Sequence, residues 1–440
     1  MENEDIRQET QPEIAGQEAA STPAQSPEAS EASEAARASE THAETPAEPE
    51  QPKLSDREVM QHTASIWRYR TVIEDGTELH TEFHSKLTSG DGWEVIGARA
   101  RGKKHKHEGS NCDDWFETAQ SEGCLIAVVA DGAGSKPLSR IGARVSCEAA
   151  AEYLREAVRE LFSKQPDIRE KLSAEMSGAD FLGACGLMAP LIQNAARAAF
   201  EAVVKKLGSI SADRNYISVL GREPTLSDLS STFLAALAVP LDGETFLLSA
   251  QIGDGCICAV DTHSDHEGCF RLLGEADSGA FSGETDFLSA KTVSEGVIAR
   301  KTRISRGKSD IIMLMTDGVA DDYFPAQPQM KRLVLDLQLN GIIPMPGGKS
   351  DPLPPEPLRF QSVSPDQRSV ALQYSKQLLN GGETADQLWD RRGELSPWSL
   401  DSWGGFIGKR PQDRLLTWLD NYNERGSFDD RTLVVLRFDR

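Results

Sequence analysis

At 440 residues the chain is long enough to bury the core of one large domain or two ordinary ones. Its formal charge of -22 works against binding nucleic acid or an anionic lipid surface, where phosphate rewards an excess of Lys and Arg, and it favours basic partners or metal cations. No apolar run reaches the roughly 18 residues a membrane span needs, and no positive region is followed by an apolar one at the N-terminus. The expected location is therefore the cytoplasm.

Residues 1–54 consist almost wholly of Ala, Glu, Ser, Thr, Pro and Gln, have no aromatic residue and carry about half of the net charge. Such a stretch cannot bury enough apolar surface to offset its ordering entropy, so a disordered acidic tail is expected ahead of one domain over 55–440. Within that domain an extension runs to about residue 90. "WEVIGAR" alternates like a strand, and "CLIAVVADGAGSKPLSRIGARVS" opens with the apolar run of a buried strand and stops at Asp131-Gly132. Two long helices follow, over 139–162 and 181–208, with apolar residues at helical spacing. From Ser230 the pattern returns to strands: "STFLAALAVP", "TFLLSAQIG", "CICAVD" and "DIIMLMTDGV", the first three separated by turns at Asp242-Gly243 and Asp254-Gly255. Pro and Gly crowd 341–357, which reads as an exposed loop. Helices are expected at about 364–379 and 411–424, and "DDRTLVVLRFD" closes the chain as a strand.

Four places share one design, an Asp at the edge of an apolar strand: Asp113 and Asp114 in "NCDDWF", Asp131 in "VVADGAG", Asp317 in "LMTDGVAD", and Asp429 with Asp430 in "FDDRTLVVL". Asp254 sits in the hairpin "IGDG". Asp-Gly at a strand end is also ordinary turn chemistry, so no single one identifies a ligand. Several together without His or Cys at ligand spacing suit hard divalent cations, which would offset the repulsion among them. The seven Cys residues contain no C-x-x-C and are expected to be reduced core residues, with Cys256 and Cys258 on one strand face.

The ordered series "CDD", "VVADGAGS", "STFLAAL", "IGDG", "LMTDG" and "DDRTLVVL" resembles the metal-dependent protein serine/threonine phosphatases of the type 2C (PPM) family. "RGKKHKHEGSNCDDWF", "DGAGSKPLSRIGA" and "FSGETDFLSA" are similar to its bacterial branch. The resemblance implies an α+β fold, a four-layer α-β-β-α sandwich of two antiparallel sheets flanked by helix pairs. It also implies a site for two Mn2+ or Mg2+ ions and a weaker third. By this likeness Asp131 bridges both metals and the Gly132 carbonyl binds one. Asp317 and Asp429 hold the other, Asp114 binds through water with Asp113 beside it, and Asp254 belongs to the third site. Paired cations bring the pKa of a shared water near neutrality, which supplies the nucleophile for phosphate ester hydrolysis. The implied substrate is a phosphorylated protein, and the implied partner is a cognate Ser/Thr kinase.

Two family features are missing. Ala133 stands where many members have a His that could act as general acid, and Gly109 stands where an Arg grips phosphate. Nearby cationic or titratable groups are the candidates to replace them. Arg101 and His105 are expected to act in catalysis, and Arg101, Lys104 and His107 to bind substrate; a solvated basic loop is the alternative reading. Nucleotide binding by "DGAGSK" fails because Pro137 occupies the place of the third Gly of G-x-G-x-x-G. Two other functions stay open: a catalytically weak, phosphoprotein-binding domain, and a hydrolase of small phosphate esters.

Overall fold

The computed structural model describes residues 68–275, 285–324, 326–346, 382–395, 410–421 and 428–439, without the side chains of Gln327, Pro328 and Asn421. The expected tail at 1–54 and helix at 364–379 fall outside these residues, as does the Pro/Gly-rich segment beyond 346.

Eleven strands among the described residues form two antiparallel sheets. Strands β1 (Phe83–Gly90), β2 (Trp93–Ala100), β7 (Cys256–Val260), β8 (Phe270–Leu272), β10 (Ile311–Met315) and β11 (Arg431–Phe438) make one sheet in the order β1-β2-β11-β10-β7-β8. The other runs β3-β4-β5-β6-β9, from Trp115–Ser121, Cys124–Ala130, Phe233–Pro240, Thr245–Ile252 and Thr302–Gly307. The continuous apolar run of β4 has a direct cause, because both of its faces are covered. Leu125, Ala127 and Val129 point into the layer between the sheets, against Leu234, Ile312, Leu314 and Val434. Ile126, Val128 and Ala130 point the other way, against two long helices.

In chain order the helices are α1 (Lys103–Glu108), α2 (Ser139–Lys164), α3 (Ile168–Ser173), α4 (Ala179–Ile210), α5 (Arg214–Leu220), α6 (Glu295–Arg300), α7 (Asp317–Ala320), α8 (Ala326–Leu339), α9 (Ala385–Asp390) and α10 (Pro411–Asn421). Helices α2 and α4 cover the five-stranded sheet with residues such as Leu154, Met188 and Ile192. On the outer face of the six-stranded sheet, Leu333, Val334 and Leu337 of α8 and Leu415 and Trp418 of α10 pack against Met313, Met315, Leu433 and Val435. This is the expected four-layer α-β-β-α sandwich. The cysteines are all free, and Cys185 alone is not fully buried. Cys256 and Cys258 share the face of β7 that meets the second helix layer.

Sequence reading placed the apolar strands and the two long helices after Asp131 but did not resolve β1, β3, β8 and β9. The segments "FHSKLTSG", "WFETAQS" and "TRISRG" mix polar and half-buried positions, and β8 is only three residues long. The basic stretch after β2, read as a loop, is helix α1, closed by Gly109 in the left-handed conformation with φ 78°.

Candidate metal centre

Strand ends converge at one edge of the sandwich. Asp131 follows β4, Asp254 lies between β6 and β7, and Asp317 follows β10 and opens α7. One carboxylate oxygen from each of the three lies within 4.8 Å of the others. Backbone pairing fixes Asp131: its N–H donates to Thr232 Oγ1 at 2.8 Å, its carbonyl accepts from Thr232 N–H at 2.8 Å, and Gly132 bridges to Ser231.

The glycines after Asp131 and Asp317 answer to close approach rather than to turning. A β-carbon on Gly132 would stand 2.8 Å from the Asp113 carbonyl oxygen, and one on Gly318 only 1.9 Å from that of Asp430. The chain segments bearing the other carboxylates pass through the space a side chain would fill.

Asp114 is fully buried behind the trio. Its Oδ2 accepts hydrogen bonds from Thr316 Oγ1 at 2.9 Å and Thr432 Oγ1 at 2.6 Å. Asp254 accepts a bond from Thr285, and Asp429, exposed at the rim, accepts the Asp430 N–H at 3.0 Å. The Oδ1 atoms of Asp254 and Asp317 are buried with no hydrogen-bond partner among the described residues.

The electrostatics follow from this crowding. Burial, and then the charges of Asp317 and Asp114, push Asp131 well above the usual carboxylate range. Burial and the charges of Asp254 and Asp429 raise Asp317 to about 8. Burial and the charge of Asp430 raise Asp114 to about 7, although a hydrogen bond with Asp131 and then the Thr hydroxyls oppose it. Burial and Asp430 likewise bring Asp113 to about 7 against the pull of His105 and Arg140. Without cations the crowding pushes these groups toward their protonated forms. Orphaned buried oxygens in an all-carboxylate set with little basic counter-charge fit a hard divalent ion such as Mg2+ or Mn2+.

The expected site residues separate on this geometry. Asp131, Asp254 and Asp317 come together, with Asp114 at their back. Asp254, expected at the weaker third site, is one of the trio. Asp429 stands outside it but close enough for its charge to raise Asp131, Asp317 and Asp321. Lys104 Nζ lies 3.7 Å from where a β-carbon on Gly134 would be.

The other basic residues are committed elsewhere. Arg101 is 1% exposed and donates to the carbonyls of Ser110 at 3.1 Å and Arg70 at 2.5 Å, with its guanidinium over the Tyr69 ring. It holds the segment before β1 in place, so a phosphate grip by Arg101 is not carried forward. His107 accepts the Arg68 N–H through Nδ1 at 3.1 Å. His105 is buried, with Nδ1 2.8 Å from Asp430 Oδ2. Burial alone would lower its pKa, but the Asp430 carboxylate outweighs that and raises it to about 10. Both ring nitrogens face carboxylates, Nδ1 that of Asp430 and Nε2, at 3.8 Å, that of Asp113, so the general acid role expected of His105 is not carried forward. Two residues were missed, Thr316 and Thr432, and neither left a signal in the sequence; Asp430 was singled out as a strand-edge carboxylate but given no role.

Carboxylates from three strand ends thus meet at one edge of a two-sheet sandwich. The chain belongs to the protein phosphatase 2C family, whose sequence model matches residues 101–339. A search of curated proteins finds no significant match. Solved structures similar to this chain include serine-threonine phosphatase 2C from Toxoplasma gondii, at 11% identity and a TM-score of 0.40, covering 81% of this chain and 99% of that one. The S. agalactiae serine/threonine phosphatase is 12% identical with a TM-score of 0.33, covering 81% and 99%. RsbX in complex with magnesium is 10% identical with a TM-score of 0.28, covering 81% and 100%. No helix among the described residues is long and apolar enough to cross a membrane.

Proposed function

We propose that this phosphatase hydrolyses phosphoserine and phosphothreonine in proteins, using two Mn2+ or Mg2+ ions held by Asp131, Asp254 and Asp317 with Asp114 and Asp429 around them. The observation that carries the reading is the trio of carboxylate oxygens within 4.8 Å together with the orphaned oxygens beside it. When bound, a pair of such cations activates water and neutralises phosphate charge.

The chain's own residues do the rest. Asp131, fixed by one bond to the Thr232 hydroxyl and one from the Thr232 N–H, holds one carboxylate at the end of β4. The Thr316 and Thr432 hydroxyls hold Asp114 in one rotamer. Lys104, beside Gly134, is the cation that meets the substrate phosphate in place of the missing Arg, acting as a point charge rather than a fork. Ala133 offers no proton, so leaving groups with a low pKa should react with the least hindrance. The partners on this reading are a phosphorylated protein and the kinase that modifies it.

A substrate panel tests the proposal: phosphoserine, phosphothreonine and phosphotyrosine peptides beside small phosphate metabolites, each in Mn2+. Faster turnover of the phosphoserine and phosphothreonine peptides is expected. Preference for a metabolite would support a small-ester hydrolase, and no turnover of any would support a binding domain.

A further inference from the structure

We propose that Asp430 and His105 form a buried latch that positions the Asp113–Asp114 segment for metal binding; the inference rests on the metal centre described above. Asp430 stands just before β11 and is 1% exposed. Its Oδ1 accepts the Gly102 N–H at 2.6 Å, and its Oδ2 accepts the Asp113 N–H at 2.5 Å and pairs with His105 Nδ1 at 2.8 Å. One carboxylate thus gathers the start of α1, a side chain from inside that helix, and the backbone of the first acidic motif.

The contacts around it reinforce that arrangement. Lys104 N–H donates to the Phe428 carbonyl at 3.0 Å, which ties α1 to the approach of β11 a second time. The other imidazole nitrogen, Nε2, lies 3.8 Å from Asp113 Oδ2, so His105 stands between two carboxylates and fixes the orientation of both. Two residues beyond Asp430, Thr432 donates to Asp114 Oδ2. The loop carrying Asp113 and Asp114 is therefore bound at Asp113 to the residue just before β11 and at Asp114 to β11 itself. Asp430 touches none of Asp131, Asp254 or Asp317 through a hydrogen bond among the described residues. It is a positioning residue, and groups in that role commonly govern metal affinity about ten- to hundred-fold.

The test uses the full-length protein and Mn2+ titrated calorimetrically at a temperature well below melting. It compares wild type, Asp430→Asn, His105→Gln, the double variant and Asp131→Asn, with each melting temperature in EDTA recorded alongside. Asp430→Asn should weaken Mn2+ binding about ten- to hundred-fold. His105→Gln should weaken it in the same direction, and the double variant should be no worse than Asp430→Asn alone, because the two residues act as one unit. A purely structural role would lower the melting temperature and leave the Mn2+ dissociation constant unchanged, which would overturn the latch. If Asp430→Asn does not fold, His105→Gln decides: it keeps the Asp430 bonds to Gly102 and Asp113, and an unchanged constant overturns the proposal. Wild type that binds no Mn2+, or Asp131→Asn that binds like wild type, would instead overturn the metal centre, and the latch with it.

Discussion

Asp317→Asn should stabilise the metal-free protein while abolishing its stabilisation by metal. Asp317 carries a buried oxygen without a partner, and it lies with Asp131 and Asp254 inside a 4.8 Å group. Two unit charges at that separation repel by about 3 kcal/mol at an effective dielectric of about 20. Partial exposure of the residues and protonation of the cluster reduce this to about half near pH 8. Replacing one carboxylate with a neutral amide of the same shape removes that repulsion and breaks no hydrogen bond found for Asp317. For a domain of this size a gain of about 1–2 kcal/mol corresponds to a few degrees of melting temperature. Wild type should instead gain about 2.7 kcal/mol from Mn2+ at a hundred times its dissociation constant, and the variant close to none. Scanning calorimetry in EDTA and in Mn2+ measures both effects. A melting temperature several degrees below wild type in EDTA would refute the reasoning, because Asp317 would then be supporting the fold rather than straining it.

Lys104→Ala should raise the Michaelis constant for a phosphopeptide about ten-fold to a hundred-fold, the loss of one charge-assisted contact, with little change in melting temperature. Arg101→Ala should act in the opposite manner, lowering stability by about 2–3 kcal/mol through its lost buried bonds to Ser110 and Arg70, as read by denaturant unfolding. The pH dependence of the metal-free protein follows from the raised carboxyls. Asp113, Asp114 and Asp317 hold protons in the folded state up to about pH 7–8, whereas in the unfolded chain they release them near the ordinary value of 3.8. Folding then binds protons, so their contribution is full below about pH 4 and is lost as pH rises to about 8. Melting in EDTA should accordingly fall over that window, and the increment from Mn2+ should grow across it. A flat EDTA profile would contradict the crowding of these groups.

The sequence was most informative where burial was complete. Strand β4 could be recognised because both its faces are covered, and the stop at Asp131 stood out against that apolar run. The same contrast marked Asp317 after "IIMLM" and Asp429-Asp430 before "TLVVL". Strand β9 was not legible, because "TRISRG" keeps half-buried polar residues on both faces. Helix α1 was hidden for another reason: "KKHKHE" has no apolar period, and its one buried side chain is a histidine. Roles within the site were harder to read than its existence. Charge counted along the chain made Arg101 look available, but it stands one residue past β2, where the path of the sheet turns it inward. Adjacent carboxylates pose the same difficulty. Asp429 and Asp430 differ by one position, yet one lies exposed at the rim and the other is sealed against His105, a distinction set by the pairing of β11 with β2 and β10.

The central claim is that these aspartates make a two-metal hydrolytic centre, and bound Mn2+ counted against phosphate release tests it most directly. Full-length protein stripped with EDTA and titrated with Mn2+ should bind at least two ions and release phosphate from a phosphoserine peptide only as they fill; Asp131→Asn should lose both properties while remaining folded. Undiminished phosphate release in EDTA, or by Asp131→Asn, would contradict it.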